Sequence, residues 1–223
     1  MQELKRAANL ALTGIEATLR AIVKMPMDRS RRNLLAATLL RASMDHGCAL
    51  AFLVSCHPDE FGAPALALHR SQIETLMRGA FFAKEATDEE VTYFIENDDM
   101  PKRRDENGRL KRLNPKDIAP LVSDILSLGD SKKVINLINN SWDMFCGMVH
   151  GGMHLVMTYN NQGVGFHVEP KSLMEIVGNT LGMSSFAMIG VAAISTANKQ
   201  QLSDIFQEPQ AAHMAYVEAT NAV

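Results

Sequence analysis

Apolar residues return at every third or fourth position along almost the whole chain, and that period suits helices and little else. Leu4, Ala8, Leu12, Ile15, Leu19 and Ile22 form one such stripe; Leu35, Leu39, Ala42, Leu50 and Leu53 form another. The alternation that marks a half-buried strand is almost absent. Met is abundant at 14 residues and aromatics are sparse at 6 %, a mix of side chains that lose little freedom in a helix. The expectation is an all-α fold, an up-and-down bundle of five to seven helices. At 223 residues the chain is long enough to bury its own core, so a single helical domain over 1–223 is expected.

Punctuation sets the element boundaries. A first helix over 2–24 stops before Pro26, and a second runs over 30–56. HPDEFG at 57–62 reads as a turn cluster, with Pro64 opening a third helix that reaches Ala86. Thr87 and Glu90 make a capping box for a short helix. Residues 99–113 read as an exposed basic loop, and Asn114-Pro115 as the start of a helix ending near Gly129. The next helix, capped by Asp130 or Ser131, runs to His150, where Gly151-Gly152 ends or bends it. A loop is expected at 153–169, then a long helix from Pro170 to Ala197 and a short one near 200–206.

The net charge of −3 gives no global case for nucleic-acid binding, so any such contact needs a local patch. Three cysteines, an odd number without CxxC spacing, argue against a disulfide framework or a zinc finger and fit a reducing compartment. The opening MQELKRAANL has no apolar signal-like stretch, so a cytoplasmic location is expected. Leu181–Ala197 is the most apolar segment, shorter than the ~20 residues a span needs and dotted with Ser184, Ser185, Ser195 and Thr196. It reads as a buried core helix rather than a membrane span.

Four constellations carry chemistry. Arg41 and His46 lie on the second helix, about 140° apart around its axis. They are either an Arg41–Asp45 surface pair beside a satisfied histidine, or a cation and a proton acceptor that meet across a partner copy. His69, Arg70, Glu74 and Arg78 form a charged ridge beside the apolar stripe of Ile73, Met77 and Phe81. It is either a surface ladder or a polar cluster in which Glu74 orients an Arg or His. WDMFCGMVHGGMH, Trp142–His154, places His150 at a helix end; its two histidines lack the HExxH pattern, so no metal or cofactor is expected. Finally, Lys102, Arg103, Arg104, Arg109, Lys111 and Arg112 put six of the chain's 22 basic residues in one short segment. That segment is either a solvated loop or a phosphate contact without aromatic stacking.

The Arg-x4-His segment 41–46 resembles the motif of HEPN nucleases, although Ala42 follows Arg41 where family motifs often carry a polar residue. RSQIETLMR and MVHGG are similar to two further elements of bacterial proteins related to HEPN bundles. The resemblance spans roughly residues 30–155. It implies a HEPN-like bundle, self-association as a homodimer, and a metal-independent endoribonuclease acting as toxin or defence effector, with RNA as target and an antitoxin as protein partner. Arg41 and His46 would then cleave, supported by Glu74, Arg78 and His150, with the 102–112 segment holding RNA. The alternative is a non-enzymatic helical module that binds a protein or small ligand; it predicts an exposed apolar face instead of a converged cleft.

Overall fold

The computed structural model describes residues 1–126, 131–159 and 169–221. The described residues are all-α apart from one hairpin. Helix α1 (Gln2–Val23) leads to α2 (Arg31–Cys56), where the Ser30 hydroxyl accepts from the Asn33 amide at 3.2 Å. Helix α3 (Pro58–Ala80) follows almost at once. HPDEFG is therefore no turn: Pro58 occupies the first helical position and Asp59 and Glu60 complement the helix dipole. Pro64 lies inside the helix, its ring in solvent.

A π-turn, Phe81–Glu85, closes α3, and its wider winding sets the consecutive Phe81 and Phe82 both in the core. The Thr87–Glu90 capping box starts α4 (Asp88–Asn97), as its sequence predicts. The expected loop at 99–113 is instead a β-hairpin, β1 (Lys102–Arg104) against β2 (Leu110–Arg112), with Arg103 opposite Lys111. Asp105 makes its turn: the carboxylate accepts from the amides of Asn107 and Arg109, both at 2.9 Å. Met100 and Leu113 anchor the two feet in the core.

Asn114 caps α5 (Pro115–Leu126), accepting from Lys116 and Asp117; the predicted end near Gly129 and the Asp130 cap lie outside the described residues. Then come α6 (Ser131–Val149), α7 (Met153–Tyr159), α8 (Pro170–Ala193) and α9 (Lys199–Asn221). Two expectations change here. The first part of the expected 153–169 loop is helical, because Gly151, at φ 71°, reverses the chain sharply enough for α7 to fold back on α6. The short C-terminal helix extends through Pro209 to Asn221 because Pro209 and Tyr216 bury against the bundle. With these additions the described residues hold nine α-helices rather than five to seven.

Helices α1, α2, α3 and α8 pack together around one core, with α5 and α6 against α3. Helix α8 is long and apolar enough to cross a membrane, and half of that apolar stretch is buried inside the bundle. Helix α9 lies antiparallel along α1: Glu208 pairs with Arg20 at 2.9 Å, while Ala219 and Thr220 share a small cavity with Arg6, Ala7 and Leu10.

Candidate functional site

Helix α3 presents two polar layers. Its core-facing side carries His69 and Gln72 among Ile73, Leu76 and Met77. The Gln72 amide donates to the Thr180 carbonyl at 2.9 Å and to the Ser184 hydroxyl at 3.4 Å, both on α8. Ser184 itself donates back to the Thr180 carbonyl at 3.0 Å, and Ser43 of α2 donates to the Gln72 carbonyl at 2.9 Å. One glutamine thus ties three helices together through a buried interior, where a satisfied network specifies one packing.

His69 completes this seam. Its Nδ1 lies 3.2 Å from Gln72 Oε1 and 3.1 Å from the Thr180 hydroxyl. An amide oxygen only accepts, so the first contact requires a proton on Nδ1. Nε2 is then a bare acceptor, buried, with no hydrogen-bond partner among the described residues, and the ring meets Phe145 edge-on at 5.0 Å. Burial disfavours the imidazolium and lowers the His69 pKa to about 4, although the Gln72 hydrogen bond opposes the shift. At neutral pH the group is an uncharged part of the core.

The outer layer is the ridge at four-residue spacing. Glu74 bridges two cations, Arg70 Nη1 at 3.0 Å and the Arg78 guanidinium. The Arg70 guanidinium lies 4.9 Å above the Trp142 ring of α6, and its Nε is buried without a hydrogen-bond partner among the described residues. The three ridge side chains are 18 % to 25 % exposed. This is a sheltered cluster and not an open surface ladder.

The remaining predicted residues lie elsewhere. Arg41 leans along its own helix to Asp45 at 3.1 Å, both half in solvent. His46 is half-buried, and desolvation lowers its pKa against the opposing pull of Asp45. His150 is exposed just past the end of α6, its amide donating to the Cys146 carbonyl at 3.0 Å. Of the five predicted catalytic side chains, only Glu74 and Arg78 are brought into contact.

The basic hairpin is largely neutralised by its own surroundings. Arg103 forks onto both Glu90 oxygens at 2.7 and 2.8 Å, reaches the Glu85 carbonyl, and lies 5.0 Å over the Phe81 ring. Burial alone would raise the Glu90 carboxyl, but the bonds from Arg103 and the Thr87 amide outweigh it and hold the group below its usual range. Lys111 pairs with Asp117 at 2.6 Å and Arg112 with Asp99 at 2.8 Å, while Arg104 caps the Gly108 carbonyl. Among the described residues, Lys102 and Arg109 alone of the six lack such a partner and face solvent.

A different surface is apolar. Helix α7 has no buried residue, and Met153 and Met157 are 67 % and 65 % exposed, beside Val156 and the end of α6 at Val149. From Met144 to Tyr159 the sequence holds no Asp, Glu, Lys or Arg. Of the seam residues, Gln72 and Thr180 are absent from the side chains the sequence singles out, and Ser184 enters there only as a hydroxyl in the apolar segment; the signal on α8 is the pair of hydroxyls Thr180 and Ser184 at four-residue spacing inside an otherwise apolar helix.

A family model described as a family of unknown function (DUF6988) matches residues 40–217, from α2 through most of α9. No curated protein and no solved structure matches the chain.

Proposed function

The chain belongs to DUF6988, a family of unknown function, and for it we propose a HEPN-like helical module that works in the cytoplasm as a homodimer and acts by binding a partner. The exposed stripe Met153, Val156 and Met157 on α7 carries this reading. Apolar side chains at three- and four-residue steps normally face a core, and here they face outward. A second copy of the chain suits this face because Met144 to Tyr159 holds no Asp, Glu, Lys or Arg. A two-fold interface sets a patch against itself, so any charge in it would meet its own like.

Sedimentation equilibrium of the purified chain at micromolar concentration is expected to give a dimer. Replacing Met153 and Met157 together by Lys removes two thioether side chains from each copy, four across a two-fold interface, each worth about 1.5 kcal/mol on burial, so association should weaken on the order of ten-thousandfold. Helicity by circular dichroism should not change. A wild type that stays monomeric overturns the homodimer.

Metal-independent cleavage of RNA is a second reading, supported by His46. Desolvation keeps its imidazole neutral near pH 7, the form that accepts a proton from a ribose hydroxyl. Arg41 turns away toward Asp45, so a partner copy would have to supply the cation. Under this reading the wild type degrades total RNA in EDTA and His46→Ala does not. RNA left intact across the pH range, or cut equally by the variant, removes it.

A further inference from the structure

The Arg70–Glu74–Arg78 ridge has one carboxylate for two guanidinium groups, and the excess cation is not spread into open solvent. Arg41–Asp45 shows what an ordinary ladder on this protein looks like: its side chains are 47 % and 54 % exposed, against 18 % for both Arg70 and Glu74. Glu74 gives one oxygen to each arginine, Oε2 to Arg70 and Oε1 to Arg78, so neither guanidinium uses the two-pronged fork that binds oxyanions most strongly. Among the described residues the Arg70 Nε is buried and unpartnered, a donor whose desolvation none of them offsets. Trp142 packs against the Arg70 guanidinium, whose carbon lies 4.9 Å from the ring centroid, and so helps to hold it in place. The nearest acidic neighbour of Trp142 in the chain, Asp143, is held by Lys116 at 2.8 Å.

A buried donor without an acceptor among the described residues, a surplus positive charge and a guanidinium packed on an indole suit this ridge to an anion. We infer that the Arg70–Glu74–Arg78 ridge beside Trp142 binds a singly charged oxyanion, a carboxylate or a phosphodiester, and that Glu74 acts as its internal stand-in. A monoanion balances the net charge of the three groups, and its oxygens give Arg70 Nε the acceptor it lacks. This goes beyond the dimer reading and uses a different surface.

Trp142 is the chain's single tryptophan, so its fluorescence reports on Arg70 directly. The full chain is titrated with diethyl phosphate and, separately, with acetate, at ionic strength held constant with chloride, and binding is cross-checked by calorimetry. A saturable fluorescence change is expected in at least one arm. Response to the phosphate alone assigns a phosphodiester ligand, to acetate alone a carboxylate; response to both supports an oxyanion site that does not separate them. Glu74→Gln removes the internal competitor and should bind several-fold tighter, which a merely structural carboxylate would not produce. Arg70→Gln should abolish the response, and Arg78→Gln, which leaves the Arg70–Trp142 stack in place, should weaken it severalfold; circular dichroism checks that each is folded. No saturable response from wild type and Glu74→Gln, or an undiminished one from both arginine variants, overturns the inference.

Discussion

Acidification from neutral pH to about pH 4 is expected to remove about 3 kcal/mol of stability through His69 alone. In the unfolded chain this imidazole takes a proton near its ordinary pKa of 6.5; in the folded protein burial delays protonation to about 4. Between those values the unfolded chain binds one more proton than the folded one. Stability is therefore complete above the unfolded value and falls as pH drops through the window. Among the described residues, those that contact His69 and its seam offer no carboxylate to receive the charge: Gln72, Thr180, Ser43 and Ser184 are neutral, and Phe145 meets the ring edge-on. Urea unfolding at a series of pH values should give a steeper acid loss for wild type than for His69→Gln, the difference reaching about 3 kcal/mol. The half-buried His46 shifts in the same direction and is present in both chains, so it cancels. Equal slopes would refute the expectation. If His69→Gln does not fold, the His69 ring resonance of the wild type gives the same answer, and titration near the ordinary value would refute it.

Gly79→Val is expected to cost about 3 kcal/mol or more, because α2 and α3 cross with no room for a side chain. A Cβ at residue 79 would lie 2.7 Å from Leu40 Cγ and 2.9 Å from the Leu40 backbone nitrogen. Leu40 cannot retreat, since Gly190 of α8 presses on it from the other side, where a Cβ would sit 2.9 Å from its methyl carbon. The clash must be relieved by separating helices that share the core. Gly182 is the built-in contrast. It lies mid-α8, and a methyl group added there would meet nothing within 4 Å, so Gly182→Ala should gain about 1 kcal/mol from helix propensity. Thermal or urea unfolding of the two variants should move in opposite directions. A Gly79→Val protein as stable as wild type would show that the crossing can open cheaply.

Features encoded within a few residues were legible in the sequence. Thr87–Glu90, Asn114-Pro115 and the stripe of α1 announce themselves because capping and helical period are local; of the stripe read on α2 only Leu50 is buried, and the core face there is Ala36, Leu40, Met44, Leu50, Ala51 and Val54. The misread segments share a cause. HPDEFG has turn composition, but position decides: the same proline that breaks a helix interior starts one at its first residue. The polar 99–113 segment gains a hairpin because Met100 and Leu113, far apart in a charged background, both reach the core. Charge pairing was least visible. The acids that neutralise Arg103, Arg112 and Lys111 are Glu90, Asp99 and Asp117, all outside the 102–112 segment that holds the cations. The polar seam was hidden for a related reason, since Gln72 and Thr180 are 108 positions apart and meet only after α3 packs on α8.

The antiparallel pairing of α1 and α9 decides how this protein responds to force. The start of α1 lies beside the end of α9, at Arg6, Ala7 and Leu10 against Ala219 and Thr220. A pull applied through the two ends of the chain therefore loads this helix pair at one edge and not along its length. The contacts then part in sequence, from Thr220 back toward the Arg20–Glu208 ion pair, each bearing the load in turn. Such a zipper opens at far lower tension than the same contacts sheared all at once. Such a pull through the two ends would strip α1 and α9 first, while the seam of Gln72, Thr180 and Ser184 still joins α3 to α8.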